Sequence, residues 1–267
     1  MAVTRSVAFC FSHVSAAALW GLPIIGRWPD AVHARAPGRS GLRSRNGVVW
    51  HSDEFDDGEI ESIDGFAVTS LSRTLIDLAK TASFESAVAA LDYGTGSSVV
   101  RVDASHAVGV NKEALLDRLD REGTRRGSAR ALAACSFSDA RAGSPGESLS
   151  RVQIRRLGYP DPILPSKIQR TDGGADYPDF EWESHFGEFD GHVKYTREEY
   201  KGCRTIEEIV WDEKLREDRL RATGKRVVRW TWREARQPDL LDRRLRSAGL
   251  EPMRGTPSAE RARSGRA

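Results

Sequence analysis

The reading turns on residues 177–191, Tyr177-Pro-Asp-Phe-Glu-Trp-Glu-Ser-His-Phe-Gly-Glu-Phe-Asp-Gly191. Aromatic residues alternate with acids in two runs, 177–183 and 186–191, which predicts two strands. Side chains two apart on a strand share a face, so Glu188 and Asp190 are expected on one side. If the runs pair as neighbours, Asp179 comes beside Glu188. Carboxylates a few ångströms apart repel one another unless a cation sits among them. A hard divalent cation takes oxygen ligands, and magnesium is commonly held by one or two carboxylates plus phosphate and water. Such an ion polarises a phosphodiester and activates water. Each acid also has a structural alternative. Exposed strands carry acids, and Glu147, near a helix start, complements the helix dipole.

Outward from this stretch the order is regular. Residues 138–146, containing Asp139-Ala-Arg-Ala-Gly-Ser-Pro-Gly146, read as a linker. A helix is expected from Ser144 or Pro145 to Leu157, stopped by Gly158, because proline suits a first turn and glycine the position past an end. Strands are expected at 163–170 and, after a long helix over 205–223, at 225–232. A last helix is expected at 238–248. Trp230 and Trp232, alternating on one strand, read as core packing more readily than as a base-stacking platform. On the long helix, Glu213 and Glu217 suit i,i+4 pairing with nearby arginines. The same helix offers Lys214, Arg216, Arg219 and Arg221 for phosphate contact.

Ser-Pro-Gly-Glu-Ser (144–148), Asp-Phe (179–180), Glu-Phe-Asp-Gly (188–191), Glu-Lys-Leu-Arg-Glu-Asp-Arg-Leu (213–220) and Gly-x-x-Val-Val-Arg-Trp-Thr-Trp (224–232) together resemble the PD-(D/E)xK nuclease superfamily. More narrowly, residues 144–248 resemble domains akin to very-short-patch-repair endonucleases. The resemblance implies a restriction-endonuclease-like mixed sheet flanked by helices, with DNA as partner and Mg2+ as cofactor. It implies Glu147, Asp179 and Glu188 as metal-binding carboxylates. The superfamily's lysine belongs two residues after Glu188, where this chain has Asp190. Lys194 or Lys214 is then expected to supply the cation, and His192 to orient water. His192, Lys214, Arg216 and Arg219 are the expected nucleic-acid contacts.

The first half alternates short strands and helices. Ser12 is read as the cap of a helix to Trp20, ended by Gly21 and Pro23, and this reading is preferred to a signal peptide because Ser12 and His13 interrupt the apolar run. Strands are expected at 30–36 and 48–52. Asp64-Gly65 signals a two-residue hairpin. A helix capped by Thr69 or Ser70 carries Leu71, Leu75, Ile76 and Leu78 inward and an Arg73–Asp77 i,i+4 pair. Further helices are expected at 83–93 and after Asn111. Arg35, Arg39, Arg43 and Arg45 read as a solvated basic loop or a phosphate contact. Phe-Ser-His-Val-Ser-Ala-Ala-Ala-Leu-Trp-Gly-Leu-Pro (11–23) and Asp-Gly-Phe-Ala-Val-Thr-Ser-Leu-Ser-Arg-Thr-Leu-Ile-Asp-Leu-Ala (64–79) look like AbiEi-type antitoxins and regulators of type IV toxin–antitoxin systems. That resemblance implies a cognate toxin as partner. It also implies an upstream winged helix; only ten residues precede Phe11, so either the start is placed late or the region lacks that module.

Composition excludes other classes. Net charge is +2, from 41 basic and 39 acidic residues among 267, so nucleic-acid affinity must come from local clustering. Cys10, Cys135 and Cys203 are isolated, which argues against a zinc ribbon or a disulfide framework and for a reducing, cytoplasmic setting. No apolar run is long enough for a membrane span. Gly21 to Gly26 has P-loop-like spacing, but Arg27-Trp28 replaces the Lys-Ser/Thr pair. No Gly-x-Ser-x-Gly elbow and no dinucleotide fingerprint appear. The expected architecture is α/β: an α+β region over 1–138, an endonuclease-like domain over 139–250, and a disordered basic tail over 251–267. The expected function is DNA binding, with either Mg-dependent endonuclease activity or a non-catalytic antitoxin-like role in transcriptional regulation.

Overall fold

The computed structural model describes residues 9–35, 46–51, 57–97, 99–101, 105–165, 167–170, 173–191 and 206–253. The chain divides into two compact units, Met1–Arg141 and Ala142–Ala267. The division falls inside the Gly-, Ser- and Pro-containing stretch 138–146. Both units mix helices with sheets of mixed strand direction.

In the first unit, β1 (Cys10–Phe11), β2 (Val32–Arg35), β3 (Val48–His51), β4 (Ile60–Ile63) and β5 (Phe66–Thr69) form one sheet in the order β3-β2-β1-β5-β4. β4 and β5 are joined by Asp64 (φ 51°) and Gly65 (φ 78°). Both residues have positive φ, as the type I′ hairpin turn requires. β2 and β3 run parallel. Helix α1 (His13–Leu19) follows β1, with Ser12 at its N-cap. Helix α2 (Leu71–Thr81) begins where Ser70 Oγ accepts the Arg73 N–H at 3.3 Å. Its buried face carries Leu71, Leu75 and Leu78, but also Arg73 and Asp77. Helices α3 (Phe84–Gly94) and α4 (Lys112–Glu122) are capped by Ser83 and Asn111, and α5 (Ser128–Phe137) starts at Gly127. Short strands β6 (Val99–Val100) and β7 (His106–Ala107) pair antiparallel.

The second unit opens with α6 (Pro145–Arg156), capped by Ser144. Strands β8 (Ile168–Gln169) and β9 (Ala175–Asp176) form a small ladder. β10 (Phe180–Glu181), β11 (His185–Asp190) and β12 (Arg226–Thr231) form the main sheet in that order. β10 is antiparallel to β11, whereas β12 is parallel to β11 and is reached through α7 (Ile206–Ala222). Alternation then assigns faces. Trp230 donates from Nε1 to Ser150 Oγ of α6 at 2.8 Å, while its neighbour Arg229 meets Glu217 of α7 at 3.4 Å. So α6 and α7 cover opposite faces of the sheet.

Three expectations change. The strands expected at 163–170 and 177–183 shrink to two-residue pieces plus a lone Ile163–Glu181 bridge. Pro165 and Pro178 remove ladder donors in those stretches and restrict the residues before them. Trp232 is not on the strand. Thr231 and Glu234 form a capping box, the Thr231 N–H donating to Glu234 Oε2 at 2.8 Å, and helix α8 (Trp232–Ala235) starts there. Only Trp230 is core, 1% exposed; Trp232 packs edge-on against Phe189. Helix α9 (Pro238–Ser247) ends the described fold. Among the described residues no helix is long and apolar enough to cross a membrane. Of the stretch 251–267, expected to be a disordered tail, residues 254–267 lie outside the described residues, as do Arg39, Arg43, Arg45 and Cys203.

Candidate functional site

The β10–β11 register pairs Phe180 with Gly187, so the next position along brings Asp179 opposite Glu188. Asp179 Oδ2 accepts the Phe189 N–H at 2.8 Å, which ties the carboxylate to the neighbouring strand. Glu188 is 6% exposed and lies between two arginines. Arg216 of α7 meets its Oε1 at 2.7 Å, and Arg229, its register partner on β12, meets its Oε2 at 2.8 Å. Asp190 shares the Glu188 face by alternation and pairs in register with Thr231.

Glu147 is engaged elsewhere. It is the third residue of α6, and the cap is reciprocal. Ser144 Oγ accepts the Glu147 N–H at 3.2 Å and donates to Glu147 Oε1 at 2.8 Å, while Oε2 accepts the Gly143 N–H at 2.7 Å. Of the expected trio, Asp179 is tied to β11 through the Phe189 N–H, Glu188 sits on β11 between two arginines, and Glu147 closes a helix end. Lys194 and His192 lie outside the described residues. Arg219 holds Asp176 in a two-pronged pair at 2.7 and 2.9 Å. That pairing, through its hydrogen bonds and charge, keeps the Asp176 carboxyl below its usual range. Arg216 also donates to the Tyr177 carbonyl at 2.9 Å. Of the expected phosphate contacts on α7, Lys214 is exposed, 5.8 Å from the ring of the exposed Trp211.

A divalent cation does not suit this donor set as it stands. Both Glu188 oxygens carry a guanidinium. Among the described residues no three His, Cys, Asp or Glu side chains converge as metal ligands.

The first unit holds a second polar centre. Asp77 of α2, 2% exposed, accepts from Arg35 of β2 at 3.0 and 3.1 Å and from Arg73 at 2.9 Å. Arg73 also meets Glu59 at 3.3 Å. The buried His13 lies 3.7 Å from Asp77, and its ring stacks on His51 with centroids 3.5 Å apart. His51 and His33 share a hydrogen bond of 3.0 Å. Burial, reinforced by His51 and Arg35, lowers the His13 pKa to about 2, so its ring is neutral at ordinary pH. His13 also has a positive φ of 52°. A cavity of about 840 Å³ opens over this centre, lined by His13, His51, Arg73 and Asp77 together with Lys80, Thr81, Glu122, Arg125, Arg126, Gly127 and Arg130.

Sequence reasoning anticipated the Arg73–Asp77 pair but not its partners. Arg35, read as a loop contact, is fully buried against Asp77. The available signal was a charged pair lying on the apolar face of α2, where a charge needs a partner. Comparison with known proteins returns no match: no family model, no curated protein and no solved structure matches the chain.

Proposed function

We propose that the chain is a DNA-binding protein whose C-terminal unit uses a restriction-endonuclease-like frame for binding rather than for cleavage. The α6–β10–β11–α7–β12 order, with helices on both faces, supports the frame. The observation that carries the non-catalytic reading is the Arg216–Glu188–Arg229 clamp. A cation arriving at Glu188 is repelled by each guanidinium at roughly 4 kcal/mol per unit charge at 4 Å and an effective dielectric near 20. It also disrupts two close ion pairs, at 2.7 and 2.8 Å. Lys214 beside the exposed Trp211 offers a cation and an aromatic face together, a pairing suited to nucleic-acid strands. The N-terminal resemblance extends this to an antitoxin-like regulator with a cognate toxin as protein partner.

A second reading, a Mg-dependent endonuclease, is favoured by one observation, the bond from the Phe189 N–H to Asp179, which holds that carboxylate against β11 next to the position of Glu188. One experiment separates the two. The full chain is titrated against duplex, mismatched and single-stranded DNA between about 50 and 200 mM salt, where phosphate-driven binding falls steeply. The same DNAs, and a supercoiled plasmid, are incubated with Mg2+ and Mn2+. The expected result is salt-sensitive binding, weakened by Lys214→Ala, without cleavage. Metal-dependent cleavage abolished by Asp179→Ala overturns the binding-only reading and establishes the second. Absence of binding to every DNA at low salt, with no cleavage, overturns both.

A further inference from the structure

We propose that the cavity of the N-terminal unit binds an oligophosphate-bearing ligand of nucleotide size. The site is independent of the sheet that carries Glu188. Its volume of about 840 Å³ lies in the range of small-molecule pockets, roughly 300–1,000 Å³.

Charge argues for an anion. The lining holds five cations, Arg73, Lys80, Arg125, Arg126 and Arg130, against the two carboxylates Asp77 and Glu122, an excess of three positive charges. Both carboxylates are already bonded to basic side chains: Asp77 to Arg35 and Arg73, Glu122 to Lys80 and Arg118. They therefore hold the walls in place instead of attracting a cation. Arg125 and Arg126 are exposed at the rim and make no ion pair among the described residues. Arginine's planar fork matches phosphate oxygens.

The backbone adds to this. The cavity-lining Gly127 is the N-cap of α5, a ten-residue helix, and provides no side-chain cap. The Ser128 N–H is taken by the Arg125 carbonyl at 3.0 Å, but the positive end of the α5 dipole lies at the cavity-lining Gly127 beside Arg125, Arg126 and Arg130, where dipole and guanidinium charge both favour an anion. The floor is built rather than incidental. A buried Arg–Asp–Arg network is expensive to desolvate. A non-glycine residue at positive φ, here His13, adds strain of the kind that persists where surrounding contacts over-determine it. The ring of His13, stacked on that of His51, gives the floor of the cavity a flat aromatic surface.

The test uses isothermal titration calorimetry on the full chain with four probes: ATP, GTP, inorganic pyrophosphate, and a 5′-phosphorylated oligonucleotide beside its 5′-hydroxyl twin. The Arg125→Ala/Arg126→Ala double variant removes the rim cations, and both positions are exposed, so the fold is kept. Arg27→Ala, an exposed arginine outside the lining, is the charge control. Saturable binding of a phosphate probe is expected, reduced roughly 10- to 100-fold in the double variant, as loss of charge-assisted bonds implies, and unchanged in Arg27→Ala. Tighter binding of free nucleotides makes the ligand a metabolite. Preference for the 5′-phosphorylated oligonucleotide over its twin makes it a nucleic-acid end. No saturable binding of any probe, or equal affinity in wild type and double variant, overturns the proposal.

Discussion

Replacing Asp77 with alanine is expected to be among the most damaging single changes in the N-terminal unit. Asp77 is 2% exposed, and the Arg35 side chain it neutralises is wholly buried. Its removal strips three hydrogen bonds of 2.9–3.1 Å from two guanidinium groups. Arg73 keeps Glu59 at 3.3 Å, but Arg35 stays buried without the Asp77 carboxylate that held it. Breaking a buried pair in this way costs about 3–5 kcal/mol. A unit spanning Met1–Arg141 gains or loses roughly 3–5 °C of midpoint per kcal/mol, so a fall of roughly 10–20 °C is expected. Calorimetry of the full chain, scanned beside urea unfolding, measures it. The double change Arg35→Met/Asp77→Leu removes both charges together and is expected to recover at least half of the loss, since apolar replacement of a buried pair is often neutral. A loss below about 1 kcal/mol for Asp77→Ala, or a double variant as unstable as the single, refutes the reasoning.

Trp230→Phe in the C-terminal unit removes the indole N–H bonded to Ser150 Oγ and leaves that buried hydroxyl short of a donor, costing about 1–3 kcal/mol by urea unfolding. Gly146→Ala places a Cβ 2.0 Å from the Phe189 ring, and overpacking of about 1–3 kcal/mol is expected in the same assay; a neutral result means the ring has room to move. Stability should also fall on the acid side through His13. Its folded pKa, about 2, lies below the ordinary 6.5, so the unfolded chain takes up the proton first. The contribution is complete above 6.5 and is lost as pH falls below it, with a slope of up to about 1.4 kcal/mol per pH unit. Melting curves of wild type and His13→Gln between about pH 7 and pH 5 should converge toward acid if this linkage operates; parallel curves contradict it.

What the sequence disclosed was local. Ser144-Pro-Gly-Glu147 announces a helix start from four residues, and that start forms. Asp64-Gly65 forms its turn because positive φ is a property of those two residues and their hairpin. The strands at 163–170 and 177–183 were overread because alternation outweighed the prolines. The site residues were harder still, because a carboxylate's role is decided by what stands opposite it. Glu147 fits a metal ligand and a capping box equally well on paper, and only coordinates distinguish them. Arg229 reaches Glu188 through a parallel register separated by the whole of α7, which no spacing rule reveals. The histidine centre gathers His13, His33 and His51 from α1, β2 and β3, and no short motif spans that distance.

The smallest strand of the N-terminal sheet has an outsized bearing on how that sheet is made. β1 contributes two residues, yet it alone joins the β2–β3 pair to the β4–β5 hairpin, through Cys10–Arg35, Phe11–Ala34 and Phe11–Val68. Each flanking piece is two-stranded, and such pieces are marginal by themselves in water. On the ribosome the sheet therefore cannot close until Val68 has emerged, although its central strand is made before all of its partners. During that interval the edge of β1 that takes β5 waits unpaired. Assembly of this unit is expected to behave as a late, all-at-once event rather than strand-by-strand growth from the N-terminus.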